Sequence, residues 1–353
     1  MGGAFRMITF NQLQTLLTAG YFSRLSTFFT ALTAGSVGQL APVSAQPFSR
    51  FQTLLTAGHF VVSAEVTPPR HYKVDAFITS TEKIAACIDI VQVNDNVMAQ
   101  ARLCPLVAAQ LMQRSGLEPV VQLTLRHRNR IALQSDLLGL AALGLRNVVV
   151  LGGSSCSIGS DPTAKDATDI STVDAIAALN RLTTQGQLFN GQIITPPPTF
   201  FIGAIATPTT LDLDASMAQL TAKIDSGAKY IQLQATFELE TLEQWMAEVR
   251  ARGLHQRAHF LASIYPFSCL KALERFSEIP GLSIPESLRA RLSHHGSRSE
   301  CWKINRELIL GIRAIEGIRG LHLRSLQPRD WLPQISDLLR VPNPVAVDVT
   351  AIG

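Results

Sequence analysis

The sequence predicts a (β/α)8 barrel, an α/β fold in which eight parallel strands are each followed by a helix. Eight short apolar runs alternate with longer stretches of helical period between residues 60 and 323. The runs are continuous and β-branched, as strands covered on both faces require. Glycines stand just past four of the helical stretches, where helices commonly stop in left-handed backbone. Eight such units in about 290 residues fit a closed barrel. A doubly wound open sheet is the alternative, and the count of eight disfavours it.

In chain order, the first strand is predicted over 60–66 and the second over 88–93. A helix over 97–115 follows and stops at Gly116. The third strand runs over 119–125, and the next helix over 129–143, ending at Gly144. The fourth strand is 147–151; after it, Ser171-Thr172 starts a helix over 173–182, because a hydroxyl before an apolar period caps a helix N-terminus. Strand 200–206, helix 216–225 before Gly227, strand 230–234 and helix 242–252 before Gly253 continue the pattern. Strands over 259–264 and 320–323 complete it, with Trp302 and Trp331 as packing residues of a C-terminal helical part.

Composition narrows the function. Of 353 residues, 46% are apolar and 16% charged, enough for a large core and unlike a disordered chain. Most of the net charge of +4 arises from residues 1–64, which hold Arg6, Arg24 and Arg50 and no acid. The remaining chain is nearly neutral, which argues against nucleic acid as a partner. No run of about 18 apolar residues suggests a membrane span. Cys87, Cys104, Cys156, Cys269 and Cys301 are scattered without a CxxC. Such spacing suits a reducing, cytoplasmic setting and argues against a disulfide frame or zinc site. His294-His295 reads as a polar loop, not a metal pair, and no metal is expected.

Residues 1–47 read as an N-terminal extension, partly ordered or a leader. Residues 10–22 (FNQLQTLLTAGYF) recur as 48–60 (FSRFQTLLTAGHF), with nine of thirteen positions matched. The second copy reads as a helix of the main domain. The acid-free first segment also suits a targeting peptide, with Val43-Ser44-Ala45 resembling a cleavage site. The barrel is assigned to 48–330, and a C-terminal helix and tail to 331–353.

In a (β/α)8 barrel the chemistry gathers where strands end. Here those positions are polar in an apolar background. They are Glu65 with Thr67-Pro68-Pro69, Asn94-Asp95-Asn96, Thr124 with Arg126, His127 and Arg128, Gly152-Gly153-Ser154-Ser155, Thr207, Gln234 with Thr236, Tyr265, and Arg324.

Over residues 48–291, and more loosely to 326, the chain resembles the methylenetetrahydrofolate reductases. The resemblance is carried by AEVTPP (64–69), VNDNVMAQARL (93–103), LTLRHRNRIALQSDLLGLAALGLRNVVVLGG (123–153), FFIGAIATP (200–208) and KIDSGAKYIQLQ (223–234). It is greatest to the short, single-domain members. It implies an FAD-dependent (β/α)8 barrel that reduces 5,10-methylenetetrahydrofolate to 5-methyltetrahydrofolate in one-carbon and methionine metabolism. The electrons would come from NAD(P)H or a redox partner protein, and a homo-oligomer is left open.

The resemblance also implies roles. Glu65 matches the catalytic acid, whose proton would open the folate's imidazolidine ring; a carboxylic acid in an apolar, closed site can hold that proton. Gln234 matches a Gln that contacts folate or nicotinamide, an amide both donating and accepting as a pterin edge requires. Lys223 matches a lysine near the flavin phosphates. Asn94, Gln122, Ala167, Ala204 and Thr207 fall at flavin-lining positions, the two alanines contributing room and backbone groups. Thr124, Gly153 and Ser154 complete the cofactor set, with Gly153 allowing close backbone approach.

Three positions depart from the family pattern. Gly152-Gly153-Ser154 stands where the family reads Thr-Gly-Asp, so a charge expected beside the flavin is missing. His127 replaces an Asp and reads as a surface loop residue. Leu270 replaces an aromatic. The alternatives are therefore a catalytically weakened folate- or flavin-binding subunit, or a methyltransferase barrel using methyl-folate.

Overall fold

The computed structural model describes residues 48–279, 282–324 and 329–340. The predicted extension over 1–47 and the tail beyond 340 lie outside the described residues. The elements run α1 (Arg50–Thr56), β1 (Val61–Val66), α2 (Asp75–Ala85), β2 (Ile90–Val93), α3 (Pro105–Arg114), β3 (Pro119–Thr124), α4 (Arg130–Ala142), β4 (Asn147–Leu151), α5 (Thr172–Gln185), β5 (Phe201–Ala206), α6 (Leu213–Asp225), β6 (Tyr230–Ala235), α7 (Leu239–Ala251), β7 (His259–Ile264), α8 (Leu270–Glu274), α9 (Glu286–His295), α10 (Arg298–Ala314), β8 (Ile318–Leu323) and α11 (Leu332–Arg340). The eight strands pair in parallel and in sequence order, and β8 closes onto β1 with Ser63 opposite His322. This is the predicted (β/α)8 barrel. Among the described residues no helix is long and apolar enough to cross a membrane.

Each strand sends alternate side chains to the helices and to the barrel interior. The outward set includes Val62, Ala64, Val91, Val121, Val148, Ile202, Ala204, Ile231 and Leu321, buried against the helices. The inward set is apolar at the N-terminal end, where Val61, Ile90, Val120, Val149, Phe201, Tyr230 and Leu261 meet Phe51 and Leu55 of α1. Helix α1, from the second copy of the repeat, therefore plugs the barrel floor. Burying Phe51 and Leu55 contributes roughly 1.5–3 kcal/mol each. Ser49 Oγ caps α1 by accepting from Gln52 N, and the Glu118 carboxylate accepts from Arg50 N and Phe51 N at 2.8 and 2.9 Å.

Above the floor the interior becomes polar: Ser63, Gln92, Gln122, Gln232, Ser263 and His322 are all buried. The apolar plug thus sits at one end, and the hydrogen-bonding groups face the other.

The expected glycine stops at 116, 144, 227 and 253 all have positive φ. Ser171 caps α5 by accepting from Asp174 N. Two expectations are corrected. The helix expected over 97–115 is only α3: Asn96, Met98 and Ala99 take φ of 44°, 54° and 50°, so residues 97–104 turn, and Pro105 opens the helix. His294-His295 is not a loop but the last turn of α9. Trp302 and Trp331 do pack together, with ring centroids 5.3 Å apart.

Candidate active site

A cleft of about 780 Å³ opens at the C-terminal ends of the strands. Of the residues singled out from the sequence, Glu65, Asn94, Gln122, Thr124, Gly153, Ser154 and Gln234 line it. They converge because each lies at, or just beyond, the end of an inward-facing strand register. Leu151, Ile158, Ile205, Met98, Tyr265 and Phe276 supply apolar walls. Tyr265 stacks on Phe276 with centroids 4.6 Å apart, and burial pushes its phenol above the ordinary tyrosine range.

Glu65 is the last but one residue of β1, with its side chain 15% exposed, and its Oε2 lies 3.7 Å from His322 Nε2. The histidine is fully buried, and its Nδ1 is 2.9 Å from Ser63 Oγ. Burial depresses the His322 pKa, outweighing the opposing pull of Glu65. The imidazole is therefore neutral near neutrality. Two residues along β1 and one partner from β8 thus form a polar chain ending at the cleft.

The floor of the cleft is braced by an ionic cluster. Asp95, whose side chain is fully buried, accepts from Thr124 N at 2.7 Å and pairs with Arg128. Arg128 also donates to Thr124 O at 2.7 Å and to Asp136 at 3.0 Å. Burial opposes the Arg128 charge, but Asp95 and Asp136 outweigh it and hold the guanidinium above its ordinary value. Asn94 Nδ2 donates to Thr67 Oγ1 at 3.0 Å, while its buried Oδ1 meets no donor from the protein. Gly153, at φ +82°, leaves room for Thr124: a Cβ there would come within 2.0 Å of Thr124 Cγ2.

Four residues singled out earlier stand elsewhere. Ala204 is fully buried toward the helices, and its neighbour Ile205 faces the cleft. Ala167 donates its N–H to Arg126 O at 2.9 Å, tying the β4–α5 segment to the loop after β3. Thr207 lines a neighbouring pocket of about 600 Å³ beside Thr236 and Leu211. Lys223 does not lie on a solvated helix face; its Nζ donates to Ile205 O at 2.7 Å, and burial lowers its pKa.

His127 is likewise not a free surface residue: its Nε2 donates to Ser154 O at 3.1 Å and so joins the β3 and β4 loops. Sequence reading missed Ser63, His322, Arg102, Arg275 and Phe276. Period-2 alternation back from Glu65 and Arg324 would have found Ser63 and His322, whereas Arg275 and Phe276 arrive on a short turn that carries no such signal. Among the described residues no group of three or more His, Cys, Asp or Glu is placed to hold a metal ion.

A parallel barrel plugged at one end, with polar groups gathered at the other, has the construction of an enzyme. The family model for methylenetetrahydrofolate reductase matches residues 50–339. The chain belongs to the methylenetetrahydrofolate reductase family, a family of oxidoreductases. A curated relative, the probable methylenetetrahydrofolate reductase (NADPH) of Caenorhabditis elegans, is 22% identical over 186 residues. That match covers 52% of this chain and 25% of the relative, so the chain spans about a quarter of the relative's length. Among solved structures, DmoA from Hyphomicrobium sulfonivorans is 12% identical, covering 78% of this chain and 86% of its own, with a TM-score of 0.47. EDTA monooxygenase (EmoA) from Chelativorans sp. BNC1 is also 12% identical, covering 80% and 94%, with a TM-score of 0.48.

Proposed function

We propose that the protein reduces 5,10-methylenetetrahydrofolate to 5-methyltetrahydrofolate with FAD, drawing electrons from NAD(P)H or a redox partner protein. The observation that carries this reading is Glu65, a largely buried carboxyl at the mouth of a reductase-family barrel, beside a neutral His322.

The cleft suits a flat heteroaromatic cofactor. Its walls are apolar, and Asn94 Oδ1 is a buried acceptor awaiting a donor. Asn94, Gln122, Thr124, Gly153 and Ser154 would hold the FAD, with Ala167, Ala204, Thr207 and Lys223 contributing backbone or outlying contacts. The bound FAD would supply the two electrons that the methylene carbon takes up. Glu65 would deliver a proton to a folate ring nitrogen, opening the imidazolidine ring to an iminium. Gln234 would orient the pterin edge by donating and accepting. Tyr265, Phe276 and Ile205 would exclude water from the reacting face. The five cysteines are all free, which fits a reducing, cytoplasmic setting.

A second reading, a subunit that holds folate or flavin without reducing it, is favoured by Ser154, which carries no charge where the family pattern has an acid. The absorption spectrum of purified protein and single-turnover reduction of methylenetetrahydrofolate separate the two. A flavin spectrum is expected, and Glu65→Gln should slow folate reduction by about 10²-fold or more while leaving flavin reduction by the donor intact. A colourless protein that still binds methyl-folate, or a Glu65→Gln variant at the parent rate, would overturn the first reading.

A further inference from the structure

The loops after β2 and β4 meet across the end of β3, the strand that lies between them. Ser160 N donates to Ala99 O at 3.1 Å, and Ser160 Oγ accepts from Ala101 N at 3.0 Å. One serine of the β4–α5 loop thus grips the β2–α3 loop on both sides of Gln100. Gly159 permits the approach, because a Cβ there would come within 2.1 Å of Ala99 O. The gripped loop is strained. Asn96, Met98 and Ala99 take φ of 44°, 54° and 50°, and Met98 and Ala99 have neither the freedom of glycine nor the short polar side chain that eases left-handed backbone. Arg102 N donates to Asn96 Oδ1 at 3.1 Å and closes this loop on itself. The gripping loop is anchored in turn, with Cys156 N donating to Asp166 Oδ1 at 2.7 Å. Met98 and Ile158, both exposed, line the cleft from the two sides of the junction.

We infer that Ser160 is a positioning residue whose two hydrogen bonds latch these loops into an arch, and that the arch gates entry and release of the flavin. The inference rests on the flavin reading above. Asn94, Gln122, Thr124, Gly153 and Ser154, proposed there to hold FAD, stand at the ends of β2 and β3 or at the foot of the β4–α5 loop, and all line the cleft. Strained backbone persists only while its surroundings hold it, so cutting the latch lets residues 96–101 relax away from Ile158. Ser160 is exposed, so water competes for both bonds and the latch can open. Closed, the arch presents Met98 and Ile158 as apolar cover for a flat ring; open, it withdraws that cover.

The test follows flavin fluorescence as FAD leaves the full-length protein on dilution and rejoins the flavin-stripped protein on mixing. Ser160→Ala should speed release by about 5-fold or more, and Gly159→Ala, which drives the loops apart, by about 10-fold or more. Entry should quicken in the same variants, because a gate slows both directions, whereas a lost contact speeds release alone. Ser160→Thr, which keeps the hydroxyl, should stay near the parent in both rates. Should Gly159→Ala fail to fold, Ser160→Ala decides, since it removes one exposed oxygen. Unchanged release in Ser160→Ala, with flavin bound, overturns the arch and leaves the flavin reading standing. Faster release with unchanged entry also overturns it, by making Ser160 a contact and not a latch. A parent protein that neither carries nor takes up FAD overturns the flavin reading itself, and the inference with it.

Discussion

His322 Nε2 lies 3.7 Å from Glu65 Oε2, across the seam where β8 closes onto β1. Ser63, opposite His322 in that register, is 2.9 Å from the other ring nitrogen. The imidazole is kept neutral by burial and adds no positive charge beside the carboxyl. A cation in that position would favour the carboxylate over the acid. On the proposed reading, Glu65 would therefore meet no added cation from His322 when it serves as the proton donor.

The same burial predicts how stability follows pH. His322 and His259 both have depressed pKa values in the fold, each first by burial, with Arg319 adding to the effect at His259. Unfolded histidines take up protons near pH 6.5, whereas these do not, so the unfolded state binds more protons. Stability should be fully present above about pH 6.5 and fall as pH drops through and below it. Urea melts across that range should show the slope, and His322→Asn should flatten it. A parent protein with pH-independent stability there would show that neither group is held neutral.

Ser154 gives a second prediction. Its backbone is fixed by the His127 hydrogen bond, so a changed side chain should act locally. Ser154→Asp would place a negative charge in the cleft, favouring a cationic folate iminium and opposing added electron density on a flavin. The two half-reactions should move in opposite directions, each by roughly 10-fold if the charge is worth about 1.4 kcal/mol. Stopped-flow measurement of both half-reactions checks this. No change in either, with flavin bound, would mean that residue 154 does not face the chemistry.

Removing Arg128 should be costly. Asp95 would be left buried without its charged partner, with Thr124 N–H and Asn96 Nδ2 its remaining donors. Arg128→Met should destabilise the protein by about 3–5 kcal/mol, read from chemical denaturation. A loss below about 1 kcal/mol would mean that solvent reaches Asp95.

Gly203→Ala tests the barrel floor. A Cβ there would fall 2.2 Å from Tyr230 Cζ. That ring is held between Phe51 and Phe201, with its hydroxyl donating to Val148 O at 2.9 Å, so it has little freedom to retreat. The expected cost is about 1–3 kcal/mol, and adding Tyr230→Leu should recover part of it. A Gly203→Ala protein that melts with the parent would show a looser floor.

Much of the fold was legible along the chain. Strands buried on both faces must be continuously apolar, and helices in water must repeat near 3.6, so the eightfold alternation is written into local composition. The exception, residues 97–104, failed because three non-glycine residues adopt left-handed backbone that apolar spacing does not encode. Much of the cleft was legible too: Glu65, Asn94, Gln122, Thr124, Gly153, Ser154 and Gln234 are strand-end residues, and strand ends of a barrel converge.

The sequence by itself determined the alternation of elements, the polar ends of the strands and the family motifs, because each depends on neighbours within a few residues. Only the tertiary structure decided that His322 stands beside Glu65, that Lys223 is spent on the Ile205 carbonyl, and that His127 holds the Ser154 loop. Those contacts join residues on different strands, helices and loops. They follow from barrel closure, strand register and the burial of charge, none of which is a property of a local stretch of chain.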